Sequence, residues 1–266
     1  DEKTDTALDP DEVIRICSAL EEDDDLDYVS VIAGSSSSPG SWIHVFPPMA
    51  IPHAYVADDA ARLKNAVSKP VLVAGRINQP QTASEILSEG KADMIGMARA
   101  LIADPEFVKK VTQNQSDHIR ACIGCNQACV GHRLTHHALS CIPTPRTGRE
   151  QLFQNTNLSQ STKTVMVIGG GPGGMKAAVT AAEHGHRVLL FEQQARLGGQ
   201  VNLAELLPGR AEFGGVTTNL VHELERNSVD VYLNSTVSSQ TVNEFEPDAI
   251  IVATGAVTRL PEVEVN

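Results

Sequence analysis

Residues 71–107 read VLVAGRINQPQTASEILSEGKADMIGMARALIADPEF. Two short apolar runs, Pro70–Ala74 and Ala92–Gly96, lie in or at the edge of this stretch, largely free of polar alternation. Such runs are what strands buried on both faces look like. A helical segment near 80–89 separates them, and another is expected near 104–111. Strand, helix, strand, helix at this interval means a parallel sheet, either open or closed into a barrel.

The same alternation extends upstream. A third apolar run, Tyr28–Ala33, precedes a helical segment at about 56–67. Before it, Asp9-Pro10-Asp11-Glu12 reads as an N-cap with proline at the first helical position, followed by an apolar stripe of Val13, Ile16 and Leu20. Cys17 falls on that stripe and reads as core. The acid run Glu21–Asp25 reads as a solvated helix end.

Each strand of the quoted stretch ends in small residues and an arginine: Ala74-Gly75-Arg76, then Gly96-Met97-Ala98-Arg99. In a (β/α)8 barrel a phosphate site is often built from the loops after the last two strands. Glycine lets backbone N–H groups close in, and arginine supplies a planar fork of donors. The pattern fits a flavin mononucleotide phosphate, and it fits ordinary surface arginines equally well.

Downstream, residues 115–160 break the alternation and read as a connector ordered around a metal. Four of the five cysteines lie here, spaced Cys122-x2-Cys125-x3-Cys129-x11-Cys141. Three thiolates in one tight loop, with Gly124 letting the backbone bend, can hold three corners of a cubane, and the fourth closes it. Structural zinc is the competing reading, although it usually takes ligands as two separated pairs. Here the second pair is missing unless His132, His136 and His137 substitute. Free thiols are the third reading.

From Thr164 a second α/β domain begins. The run Thr164–Ile168 reads as a strand and Met175–Glu183 as a helix, with the glycine turn Gly169-x-Gly171-x-x-Gly174 between them. A second strand, Arg187–Phe191, ends at Glu192. That context is what a dinucleotide fingerprint requires. Gly169 makes the turn, Gly171 lets a pyrophosphate approach, and Gly174 lets helix and strand pack closely. The helix N-terminus attracts phosphate, and Glu192 can accept from a ribose hydroxyl. The motif does not separate FAD from NAD. A helix near 211–226 and strands near 229–233 and 248–253 follow.

The 266 residues carry 21 basic and 33 acidic side chains, a net charge of −12. That balance, with no basic stripe, argues against nucleic acid or an anionic membrane as partner. No apolar run approaches the roughly 18 residues of a spanning helix. The N-terminus shows neither a signal pattern nor an initiator methionine. A cytoplasmic protein seen without its true beginning is therefore expected, and clustered cysteines there hold metal more often than disulfides.

With these residues in hand, the chain resembles the 2,4-dienoyl-CoA reductase and trimethylamine dehydrogenase family, which is Old Yellow Enzyme-like. The quoted stretch looks like the last two units of its FMN barrel. "CIGCNQAC" with a cysteine twelve residues on looks like its cluster loop, and "VIGGGPGGMKAA", "RLGGQ" and "DAIIVATGA" like its flavin-nucleotide domain. The fold implied is α/β: the C-terminal part of a (β/α)8 barrel over 1–114, an iron–sulfur loop and linker over 115–160, and an incomplete Rossmann-like FAD/NAD(P) domain over 161–266. With about three barrel strands present, a fragment of a longer protein is expected, inactive by itself.

The resemblance implies FMN near Gly75, Arg76, Ala98 and Arg99, and a [4Fe–4S] cluster on Cys122, Cys125, Cys129 and Cys141. It implies FAD, or ADP, near Gly169, Gly171, Gly174, Glu192 and Gln200. NAD(P)H would be the donor, with electrons passing from FAD through the cluster to FMN and on to an activated C=C bond. A small-molecule substrate is the expected partner, with an external electron acceptor as a further one. His44, in "SWIHVFPP", sits where a substrate loop is expected and is the catalytic candidate; His53 and Tyr55 lie close by. The alternatives are an amine dehydrogenase or N-demethylase and, in another class, a zinc-stabilised nucleotide-binding module without redox turnover.

Overall fold

A computed structural model describes residues 8–22, 26–153, 158–257 and 259. The chain divides into two units, Asp1–Gln151 and Leu152–Asn266.

The first unit runs α1 (Pro10–Glu22), β1 (Val29–Val31), α2 (Pro39–Val45), α3 (Ala57–Lys64), β2 (Val71–Ala74), α4 (Pro80–Ser88), β3 (Met94–Gly96), α5 (Ala98–Ala103), α6 (Phe107–Thr112) and a short α7 (His132–Leu134). The three strands form one parallel sheet in the order β1-β2-β3. Central β2 buries Val71 and Val73 completely, as its unbroken apolar run requires. These pack with Val56, Ala57, Ala60, Ile77, Ile86 and Ala92, so α3 and α4 cover the sheet.

Three expectations for this unit change. The segment holding His44 is helix α2, not a loop. Ser38 caps it, its side chain accepting from the Ser41 N–H at 3.3 Å, and Pro39 opens it. Helix α1 forms but buries none of its residues, so Cys17 is half-buried rather than core. Ile16 and Leu20 stay 42% and 40% exposed. Polar contacts hold α1 instead: the Glu21 carboxylate accepts from the N–H groups of Ser68 and Lys69 and from the Ser68 hydroxyl, at 2.6–2.9 Å. Those bonds, led by the Ser68 hydroxyl, draw the Glu21 carboxyl below its ordinary pKa. The expected acid run continues into Asp23–Asp25, which lie outside the described residues. The helix placed near 104–111 is α6, which begins only at Phe107; Asp104-Pro105 separates it from α5, a helix the sequence reading did not place.

The second unit runs β4 (Thr164–Ile168), α8 (Pro172–Glu183), β5 (Arg187–Phe191), α9 (Val201–Ala204), α10 (Gly214–Arg226), β6 (Asp230–Tyr232), α11 (Ser239–Phe245) and β7 (Ala249–Val252). Its sheet is fully parallel, in the order β6-β5-β4-β7. Renumbered within the unit this is 3-2-1-4, the doubly wound order, whose direction reverses beside β4. Met166, Leu189 and Phe191 fill one face with Tyr232 and Phe245. There the Phe191 and Tyr232 rings stack at 4.6 Å. Among the described residues no helix is long and apolar enough to cross a membrane.

Candidate functional site

The first unit holds two adjoining cavities. The larger, about 640 Å³ including space open to solvent, lies at the C-terminal ends of all three strands. Ile32 after β1, Ala74–Asn78 after β2 and Gly96–Ala100 after β3 line it, with His44 and Pro47. Gly75, Arg76, Ala98 and Arg99 therefore come together, as does His44. Among the described residues no carboxylate lines this cavity, while two guanidinium groups do.

Backbone geometry explains the glycines. A Cβ on Gly75 would stand 2.7 Å from Val56 Cγ2, and one on Gly96 would stand 2.8 Å from Ala74 Cβ. Only glycine lets the strand ends pack this closely. Arg76 takes a left-handed φ of 51°, uncommon for such a residue, and is 7% exposed. Its Nη1 donates to the Pro48 carbonyl at 2.8 Å, and Arg99 Nη1 donates to the Pro47 carbonyl at 2.8 Å. Both arginines thus grip the loop after α2. Arg99 has further N–H donors among its five.

His44 lies in the last turn of α2, half-buried, with its ring 5.8 Å from that of Tyr55. The Tyr55 hydroxyl donates to the His44 carbonyl at 2.6 Å, and burial raises its pKa. His53 does not line the cavity wall.

All four clustered cysteines wall the smaller cavity, with Ile102, Ile123, Ala128, Ile142 and Pro143 between them. Arg99 and Cys122 line both cavities. The cysteine loop turns sharply at Gly124, whose φ is +60° and whose Cβ would meet Arg76 Nη1 at 2.7 Å. Asn126 follows in left-handed conformation, then a π-helical turn over Gln127–Gly131 presents Cys129. Burial, and then the neighbouring sulfurs, push the Cys125 thiol up; Cys141 is pushed up to about 12. Four thiolates in an aliphatic pocket need a positive group among them, so the donor set and its lining fit an iron–sulfur cluster.

Among the described residues no three Cys, His, Asp or Glu side chains are arranged to hold one metal ion. Of the histidines weighed as zinc ligands, His132 engages the Ala138 carbonyl through Nδ1 and His137 engages the Thr135 hydroxyl through Nδ1. His136 is exposed.

Residues 115–151 pack within the first unit, and α5 is their platform. At its C-terminal end the Ala103 carbonyl accepts from the Thr144 hydroxyl, and the Ile102 carbonyl accepts from the Thr147 hydroxyl at 3.0 Å. Asp104 accepts from the Arg120 N–H at 2.9 Å, two residues before Cys122. At the other end Arg99 donates to Asn126 Oδ1 at 2.6 Å. Buried Asn78 donates to the Cys122 carbonyl. Sequence reading missed Asn78, Asp104, Asn126, Thr144 and Thr147. Asn126 carried a weak signal, since asparagine tolerates left-handed backbone better than other non-glycine residues.

In the second unit the glycine turn leaves β4 toward the switch point. Gly169 has φ +112°, and a Cβ there would strike the Ala253 carbonyl after β7. One on Gly174 would strike the Gly169 carbonyl, whereas Gly171 faces open space. Glu192, 7% exposed, accepts from the Gly170 N–H at 2.7 Å and the Gln194 N–H at 2.8 Å. Its carboxylate shapes the turn and still has lone pairs for a hydroxyl. The Arg196–Gln200 loop docks alongside through Gly198 N–H to the Gly170 carbonyl at 2.8 Å, and Gln200 donates to the Ala256 carbonyl at 2.7 Å. A Gly174→Ala change forces helix and strand apart, an overpacking of about 1–3 kcal/mol. Dinucleotide affinity, read by fluorescence titration, is expected to fall about tenfold or more.

Residues 25–118 match the family described as NADH:flavin oxidoreductase / NADH oxidase, and residues 163–266 match pyridine nucleotide-disulphide oxidoreductase. The chain is 39% identical over 206 residues to an NADH oxidase of Thermoanaerobacter brockii, covering 77% of this chain and 32% of that protein. It is 36% identical to an N,N-dimethylglycine/sarcosine dehydrogenase of Chromohalobacter salexigens, covering 95% and 37%. A solved 2-naphthoyl-CoA reductase in complex with 2-naphthoyl-CoA superposes with a TM-score of 0.88 at 29% identity, over 96% of this chain and 38% of that one. The chain spans about a third of the length of the curated relatives it matches.

Proposed function

Because this chain belongs to the Old Yellow Enzyme-like family of 2,4-dienoyl-CoA reductase and trimethylamine dehydrogenase type, we propose that it serves NAD(P)H-dependent reduction of activated C=C bonds, as part of a flavin and iron–sulfur oxidoreductase. One observation carries the reading: the strand-end cavity and the four-cysteine cavity share the walls Cys122 and Arg99. FMN in the first, a [4Fe–4S] cluster in the second and FAD at the glycine turn would supply two-electron chemistry at the flavins and single-electron transfer between them.

The chain's own part is binding and exclusion. Gly75 and the two arginines would hold the FMN phosphate, and no carboxylate among the described lining residues opposes an anion there. The aliphatic side chains between the partly buried cysteines would limit water at the sulfurs. His44, facing the same cavity, would exchange a proton with substrate. The cytoplasm, where thiols stay reduced, is the compartment this reading calls for.

The matched conjugated acyl-CoA reductase supports the reductase direction. The dimethylglycine/sarcosine dehydrogenase supports a second reading, oxidation of a small methylated amine. Anaerobic addition of NADH or NADPH to the holoprotein separates them. Bleaching of the flavin, reversed by a conjugated enoyl thioester, is the reductase result. No bleaching by NAD(P)H, but bleaching by a methylated amine, would hand the assignment to the second reading.

An Arg99→Gln change removes a charge-assisted bond from the phosphate side, a type contributing about 1.5–3 kcal/mol. The FMN dissociation constant is expected to rise about ten- to a hundredfold. An unchanged constant would leave Arg99 a merely structural arginine.

A further inference from the structure

We infer that Asn126 is a positioning residue that couples the two cavities of the first unit, so that an occupied phosphate side holds the cysteine loop closed and each cofactor slows loss of the other. The inference rests on the cofactor reading above.

Asn126 lies directly after Cys125, in left-handed backbone with φ 56°. Its side chain is engaged at both ends. Oδ1 accepts from Arg99 Nη1 at 2.6 Å, and Nδ2 donates to the Phe46 carbonyl at 2.6 Å. The same Arg99 nitrogen donates to the Pro47 carbonyl at 2.8 Å. Arg99, Asn126 and residues 46–47 therefore close a ring of hydrogen bonds around the partition between the cavities. Two further links cross it: Asn78 to the Cys122 carbonyl, and the Met49 N–H to the Gly124 carbonyl at 3.1 Å.

The guanidinium is the part that senses occupancy. It is planar and rigid, so an anion bound to its free edge fixes the plane of every N–H it carries. With an anion in place, the nitrogen facing Asn126 is held on line with Oδ1. Without one, the free edge turns toward water and the bond to Asn126 weakens. Because Asn126 adjoins one thiolate and lies three residues from another, its release loosens half the ligand set. Linkage makes the effect reciprocal at equilibrium, typically about 5- to 150-fold.

The test is iron release from the holoprotein to a ferrous chelator without oxygen, with FMN bound and after FMN depletion. FMN is expected to slow release by about fivefold or more. In Asn126→Gly, which keeps the left-handed backbone without strain, the ratio is expected to fall to about one. Asn126→Asp keeps an acceptor for Arg99 and should keep the ratio. As a check needing no variant, the FMN dissociation constant of the wild type should rise about fivefold or more once iron is stripped. A wild-type ratio in Asn126→Gly, or an FMN affinity indifferent to iron, overturns the coupling while leaving the cofactor reading intact. A wild-type protein holding zinc, or no flavin, overturns that reading and the coupling with it.

Discussion

A Cys141→Ser protein is expected to lose its iron and sulfide together, from about four of each per chain to a small remainder. Cys141 comes from outside the tight loop that carries the other three, so on the proposed reading it would be the ligand that closes the site. Its neighbourhood makes substitution costly. Burial pushes the thiol up to about 12, and three more sulfurs add to the effect. A thiolate persists there only when a cation draws it, and a serine hydroxyl, far weaker as an acid and as a soft ligand, does not answer that demand. Because Thr144 and Thr147 anchor the segment just beyond it to α5, the backbone cannot slide to offer another group.

If the proposed reductase reading holds, turnover from NAD(P)H to substrate should fall by more than the roughly hundredfold that follows loss of an outer-shell partner. On the proposed reading, bleaching of a flavin at the glycine turn should survive, because the residues that would hold it, Gly169, Gly171, Gly174 and Glu192, lie in the second unit. Cys17→Ser is the control: half-buried on α1, far in sequence from the cluster, it should change neither iron nor turnover. Full iron in Cys141→Ser would remove this residue from the ligand set.

Much of this architecture was legible because local signals agreed. The runs at β2 and β5 lack polar alternation because both faces of those strands are covered, and that is a sequence property. The glycine turn was legible for a similar reason: backbone approach at Gly169 and Gly174 admits no side chain. What stayed hidden was relational. The helix expected near 104–111 begins only at Phe107, because Asp104-Pro105 breaks the run and the Asp104 carboxylate turns inward to serve backbone 16 residues away. Ser38-Pro39 is a sound helix start, obscured by the serine run before it. The α1 stripe predicted burial, but periodicity cannot say whether a partner face exists. Asn78 and Asn126 are single polar residues in loops, and only the fold brings the Asn78 amide to the Cys122 carbonyl and the Asn126 amide to Arg99 and the Phe46 carbonyl.

The largest stability effect should come from Asp104. It is 1% exposed, and its Oδ2 accepts from Lys110 Nζ at 2.5 Å and from the Arg120 N–H at 2.9 Å. Oδ1 accepts from the Glu106 N–H at 3.1 Å. Lys110 also donates to the His118 carbonyl at 2.9 Å. One carboxylate therefore ties α5, α6 and the entry to the cysteine loop. Asp104→Ala leaves the largely buried Lys110 ammonium without its counter-charge and the part-buried Arg120 N–H without its acceptor, the situation that costs about 3–5 kcal/mol. Chemical denaturation of the holoprotein should show that loss in the transition of the first unit, with faster iron release because Arg120 lies two residues before Cys122. Asp104→Asn, which keeps shape and one acceptor oxygen but not the charge, should fall between wild type and alanine. Lys110→Met separates the two contributions. If charge compensation dominates, Lys110→Met costs nearly as much as Asp104→Ala, because each leaves one buried charge alone. If the backbone bonds to Glu106 and Arg120 dominate, Lys110→Met is mild and iron release stays slow. A loss below about 1 kcal/mol in Asp104→Ala, within the ordinary range of surface substitutions and single hydrogen bonds, would mean that water replaces the carboxylate and that the loop is held by Thr144, Thr147 and Asn126 instead.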